Sequence, residues 1–95
     1  MTYSYNEYAK NEYLSQQEIL SIHKKVKVDL IAIGSRIRKL RADIHQEDLA
    51  AYLHVSQGHL SKIERGKIAP SIEILILISD KFRKSVDWIL RGEGS

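Results

Sequence analysis

Apolar side chains recur at steps of three and four along most of this chain, with polar residues between them, and that spacing predicts helices. The pattern is sharpest over residues 46–66, QEDLAAYLHVSQGHLSKIERG. Leu49, Ala50 and Leu53 share one face of a first short helix, and Glu47 and Asp48 share the other. Val55 plugs the corner that follows. Ser56 is placed to cap a second helix with Leu60 and Ile63 on its inner face, and Gly66 stops it. Leu49, Leu53, Val55, Leu60 and Ile63 therefore form one apolar wedge between two helices crossed at a steep angle. Small Ala50 is expected where two backbones approach.

The same reading extends to both sides. Asp29 can cap a helix over roughly 30–42, with Leu30, Ile33, Ile37 and Leu40 as its core stripe and Arg36, Arg38 and Lys39 off it. Residues 67–70 are a loop. Ser71 after Pro70 caps a helix over roughly 72–83, and Ser85 caps another at about 86–91, ended by Gly92. The run ILILI at 74–78 has strand propensity, but its capped setting outweighs that. With the helical wheel started at Ile72, the core side is Ile72, Leu75, Ile78 and Phe82, packing with Val86, Trp88 or Ile89, and Leu90. Ile74 then lies about 200° and Leu77 about 140° away, both pointing outward. Two such residues need cover, either the same face of a second subunit or a helix from the N-terminal segment. The chain thus reads as all-α and compact, with five helices over residues 29–95 and an N-terminal extension over 1–28. In that extension residues 1–14 hold four tyrosines without a period and read as an arm. Ser15 and Glu18 have capping-box spacing ahead of Ile19, Ile22 and Val26. A short added helix and a disordered leader remain equal alternatives there.

Composition narrows the function. Ninety-five residues make one domain, and no apolar run approaches the ~20 residues of a membrane span. With no cysteine, disulfides and Cys-ligated zinc are excluded. His23, His45, His54 and His59 lack metal-ligand spacing and read as surface or turn residues, so neither metal nor cofactor is expected. No nucleophile–base pair or phosphate loop suggests an enzyme. The polar, tyrosine-rich start is unlike a signal peptide, and the cytoplasm is the default location. Net charge is only +3, carried as +1 by residues 1–28, +2 by 29–67 and zero by 68–95. Charge alone would not suggest nucleic acid, but the excess sits beside the crossed helices, where phosphate contacts would be needed.

The stretch 46–66 resembles the helix-turn-helix of Cro- and Xre-type regulators, the lambda-repressor-like family. The resemblance is carried by Gln46, Leu49-Ala50, Val55-Ser56, Glu64-Arg65-Gly66 and Pro70-Ser71. It extends to the flanking segments IGSRIRKLR (33–41), PSIEILILISDKF (70–82) and SVDWILRGEG (85–94), about two-thirds of the chain in all. It implies that the second helix of the pair, about 57–65, enters the DNA major groove. Counting from Ser56, residues 57, 58, 61 and 62 face outward, which sets Gln57, Gly58, Ser61 and Lys62 opposite base edges. Glutamine can bond adenine N6 and N7, and lysine guanine O6 or N7. Gly58 has no side chain to read with, and its role is close approach to the groove. Gln46, Ser56, His59 and Lys67 are the expected phosphate contacts. The resemblance also implies that Gln46 braces Gln57, and that Glu64 pairs with an arginine of the first helix, which the sequence offset identifies as Arg41. Two departures stand out. The link Asp43-Ile44-His45 is two residues shorter than the commonest form, and the branch sharing it usually has glycine where Ala42 stands. His54 occupies a turn position where glycine is usual and φ is often positive.

Two classes of function follow from the resemblance. One is a sequence-specific DNA-binding regulator, a repressor, acting as a homodimer on a two-fold operator in double-stranded DNA. The other is an antitoxin or accessory protein whose residues 1–28 bind a protein partner.

Overall fold

The computed structural model describes residues 28–94. The expectations for the arm and for a helix near Ser15 lie outside the described residues. Five helices follow one another: α1 (Leu30–Arg41), α2 (Gln46–Tyr52), α3 (Gln57–Glu64), α4 (Ile72–Phe82) and α5 (Val86–Arg91). Four begin on the expected caps. The side chains of Asp29, Ser56, Ser71 and Ser85 accept the amides of Ala32, His59, Ile74 and Trp88 at 3.0–3.2 Å. Each bond satisfies an amide that the helix itself leaves without a partner. Helix α2 starts after His45 with no side-chain cap bond.

The turns use left-handed residues as stops. After α2, His54 sits at φ 61°, and the amides of His54 and Val55 donate to the carbonyls of Ala51 and Ala50. After α3, Gly66 at φ 74° repeats the device, with Gly66 and Lys67 donating to Ile63 and Lys62. This paired bonding closes a helix end and turns the chain sharply. Two stops that pattern reading did not find are Ala42 at φ 48°, ψ −115° and Arg83 at φ 58°.

The core is continuous: Ile33 and Ile37 of α1, Leu49, Ala50 and Leu53, Leu60 and Ile63, Ile74, Leu75 and Ile78, and Ile89. Val55, Ile68, Phe82 and Trp88 pack partly buried against it. Lys81 of α4 lies over the Tyr52 ring at 4.5 Å, linking α4 to the end of α2. Arg36, off the core stripe of α1, donates to the Ile89 carbonyl at 3.0 Å and ties α5 to α1.

Helix α4 corrects the phase read from sequence. Ile74 is 3% exposed and belongs to the core, whereas Ile72 is 76% exposed. Leu77 is half-buried against the core. Six of the seven residues 72–78 are branched apolar, all but Glu73, so no single apolar face is defined by pattern and the starting residue decided the phase. Measured from fully buried Ile78, Ile74 and Leu75 lie about 40° and 60° to either side and Ile72 about 120° away. Ile74 is thus unavailable for a contact with a second subunit or an N-terminal helix, and Leu77 offers only an edge.

A further close backbone approach, beside the one expected at Ala50, lies on α1. Ala50 is buried, but Gly34 of α1 is where no side chain fits. A Cβ there would collide with the carbonyl oxygen of Ile63 and come within 2.6 Å of that of Glu64. No described helix is long and apolar enough to cross a membrane.

Backbone strain and packing give opposite forecasts for three substitutions. Ala42→Gly and His54→Gly remove side chains from conformations costing about 1–2 kcal/mol, against a smaller entropic loss from glycine. Each should raise unfolding stability by roughly 0.5–1 kcal/mol in urea denaturation. Gly34→Ala should lower it by about 2–3 kcal/mol, and no loss there would mean that α1 and α3 can separate freely.

Candidate nucleic-acid interface

The face formed by the start of α2 and the outer side of α3 is organised by one carboxylate. Glu64, in the last turn of α3, has a side chain only 3% exposed. Its oxygens accept from Arg41 Nε at 2.6 Å, Arg41 Nη2 at 2.9 Å and Gln46 Nε2 at 3.0 Å. Arg41 spends a third group, Nη1, on the Ile44 carbonyl in the link before α2, at 2.9 Å. The hydrogen bond that Arg41 donates to Glu64, reinforced by the carboxylate's charge and opposed by burial, raises the Arg41 guanidinium above its ordinary range, so it stays charged. Charge-assisted, two-toothed pairing of this kind fixes orientation as well as distance.

The network reaches the outer face of α3 through one more bond. Gln46 Oε1 accepts from Gln57 Nε2 at 3.3 Å. Gln57 is the first residue of α3 and is exposed, as are Gly58, His59 and Lys62. Ser61 is half-buried, and its hydroxyl accepts from Arg65 Nε at 3.2 Å. Gly58 faces open space: a Cβ there would meet nothing nearer than the Ser56 hydroxyl at 4.0 Å. Within the described chain, then, packing does not require glycine at 58.

The other candidate contacts frame this face. Ser56 spends its acceptor on the His59 amide, and its hydroxyl proton remains to donate outward. The Gln46 backbone N–H lies in the first turn of α2, where a helix offers it no acceptor. Lys67 is exposed just past α3, its amide closing the turn on Lys62. His45 and His54 are exposed turn residues, and His23 lies outside the described residues. Sequence reasoning passed over Arg65 and Arg38. With Arg41, Gln46, Ser61 and Glu64 they line a depression of about 310 Å³ beside the recognition face. Their signal in the sequence was only that of solvated basic residues off a core stripe.

Two short helices crossed over a shared wedge, with the second helix carrying an exposed polar face, define a helix-turn-helix domain. A helix-turn-helix family model matches residues 36–89, more than half of the chain, and the chain belongs to that family, the Cro/Xre-type DNA-binding transcription regulators. Over 62 residues it is 39% identical to the HTH-type transcriptional activator BcrR of Enterococcus faecalis, covering 63% of this chain and 30% of that protein. The chain thus spans under a third of that relative. Among solved structures it resembles the P22 c2 repressor in complex with a synthetic operator, at 33% identity and a TM-score of 0.59, covering 64% of this chain and 96% of that one. It also resembles the clp gene regulator ClgR from Corynebacterium glutamicum, at 32% identity and a TM-score of 0.58, covering 66% and 69%. The controller protein C.AhdI from Aeromonas hydrophila shares the fold at 23% identity and a TM-score of 0.58, over 65% of this chain and 97% of that one.

The ion pair should be asymmetric to mutation. Arg41→Ala strands the buried Glu64 carboxylate and should cost about 3 kcal/mol of stability. Glu64→Ala leaves the more accessible Arg41 free to reach water and should cost less. Equal losses in thermal unfolding of the two variants would contradict this account.

Proposed function

We propose that this chain is a sequence-specific DNA-binding regulator that acts as a repressor, with α3 in the major groove of a two-fold operator. The observation that carries the reading is the bonded series Arg41–Glu64–Gln46–Gln57, which ends on an exposed amide at the start of α3. A side chain braced in this way is a rigid hydrogen-bonding edge, and a base edge is read by such a group. Gln57, Ser61 and Lys62 are the base readers, and Gln46, Ser56, His59 and Lys67 contact phosphates. Gly58 supports the same reading, because the room it leaves lies outside the protein. Repression follows from occupancy of the operator alone, whereas activation needs a further contact with the transcription machinery. Such a regulator works in the cytoplasm, on double-stranded DNA.

One domain makes few base contacts, each discriminating by roughly 1–3 kcal/mol, so two half-sites about 34 Å apart are required. The homodimer that spans them needs an isologous surface. With Ile74 buried, the exposed pair Ile72 and Ile76, four apart on α4, takes that place. Residues 1–28 are a separate extension in this reading.

Three measurements test it once a site has been selected from random duplex DNA. Gln57→Ala should weaken cognate binding by roughly 1–3 kcal/mol and spare scrambled DNA, and an equal loss on both would remove Gln57 from base reading. Gly58→Ala should raise thermal stability slightly, since alanine favours a helix, yet weaken binding; intact binding would remove the close approach. Ile72→Lys with Ile76→Glu should lower the sedimenting mass at micromolar concentration, and an unchanged mass would exclude this face as the dimer contact.

A further inference from the structure

The depression beside the outer face of α3 is lined by three arginines and one carboxylate, and its charges are unevenly used. Glu64 forms its floor, already saturated by Arg41 and Gln46. Arg41 is itself consumed by Glu64 and the Ile44 carbonyl. Arg38, from α1, and Arg65, from the end of α3, stand on the rim, and neither has a carboxylate within 4.0 Å among the described residues. Two uncompensated guanidinium groups thus face one concavity. Arg65 is also restrained: its Nε is held by the Ser61 hydroxyl, which leaves both terminal nitrogens as a fork. An oxyanion carried by a planar or tetrahedral group is what such a fork matches.

The depression shares Gln46 and Ser61 with the base-reading face, so a strand that presents bases to α3 carries a phosphate past it. We infer that in each subunit Arg38 and Arg65 together clamp one backbone phosphate of the bound DNA, an inference that rests on the DNA-binding reading above. Helix α1, otherwise scaffold, thereby touches the ligand. The clamp also couples the two faces of α3, because Arg65 holds Ser61 with one nitrogen and the phosphate with the others.

The test uses the full chain and the selected duplex, with affinity measured by fluorescence anisotropy across a four-fold rise in salt. Each phosphate neutralised contributes about 0.9 to the slope of log K against log salt. Removing the clamp with Arg38→Ala plus Arg65→Ala should flatten the slope by about one increment per subunit, that is, two for the dimer on its two-fold site. The wild type should then lose about twelve-fold more affinity than the double variant over that salt range. A methylphosphonate scan of the duplex should find one position in each half-site whose neutralisation weakens the wild type and leaves the double variant unaffected. An unchanged slope would overturn the clamp and leave both arginines as solvated rim. A slope flattened by about four increments, with two sensitive positions in each half-site, would overturn the shared phosphate. A changed base preference with an unchanged slope would make Arg65 only a brace for Ser61, which also overturns it. Failure of the wild type to bind any duplex would instead sink the DNA-binding reading, and the clamp with it. Both arginines lie outside the core, so thermal unfolding should be nearly unchanged in the variants.

Discussion

The Glu64 carboxylate is the point at which this small domain is tied together. It sits at the end of α3, nearly out of water, and its donors come from the end of α1 and the start of α2. Burying a carboxylate is costly unless its oxygens are fully bonded, and three donors meet that condition here. Such a cluster contributes orientation more than net stability. Orientation is what the arrangement lacks otherwise. Helices α2 and α3 are seven and eight residues long, too short to persist alone in water. Their apolar wedge sets the distance between them but leaves a helix some freedom to roll. The carboxylate removes that freedom at the end where α1, α2 and α3 meet.

That meeting depends on a contact with no side chain in it. Gly34 lets α1 press against the Ile63 and Glu64 carbonyls, a separation any Cβ would enlarge. Arg41 lies two turns further along α1, and the same approach brings it within bidentate reach of Glu64. A helix-interior glycine costs about 1 kcal/mol in propensity, and here that cost is offset by the geometry it permits. Gly66 serves the other end of the same contact, since a side chain there would run into the Ile31 backbone. The two glycines bracket the α1–α3 seam and hold the two helices in close backbone contact.

Legibility from sequence followed the physics of each element. Caps were readable because Asp29, Ser56, Ser71 and Ser85 each announce a local bond. The α2–α3 wedge was readable because polar residues isolate its apolar ones. Helix α4 was not, since an almost unbroken apolar run has no periodicity to fix its phase, and only tertiary contacts choose Ile74 over Ile72. Gly34 was invisible because its importance lies in what the opposing backbone does. The strained Ala42 was half visible: the family usually has glycine there, but nothing in the residue itself signals φ 48°. Arg41 as the partner of Glu64 came from resemblance and offset, whereas the rim arginines Arg38 and Arg65 acquire meaning only when three helices bring them around one depression.

The network also carries chemical direction. A carboxylate only accepts, so Gln46 must turn its amide nitrogen toward Glu64. Its oxygen then faces Gln57, and Gln57 must answer with its own nitrogen. One amide flip is excluded at each step, although an isolated glutamine can present either end. Gln57 is left with its carbonyl oxygen and one N–H for the groove. An adjacent acceptor and donor are the complement of adenine N6 and N7. In the proposed complex the polarity of the reading amide is therefore set by a buried charge at the opposite end of the same helix. A domain with so few base contacts gains specificity by this route without enlarging its interface.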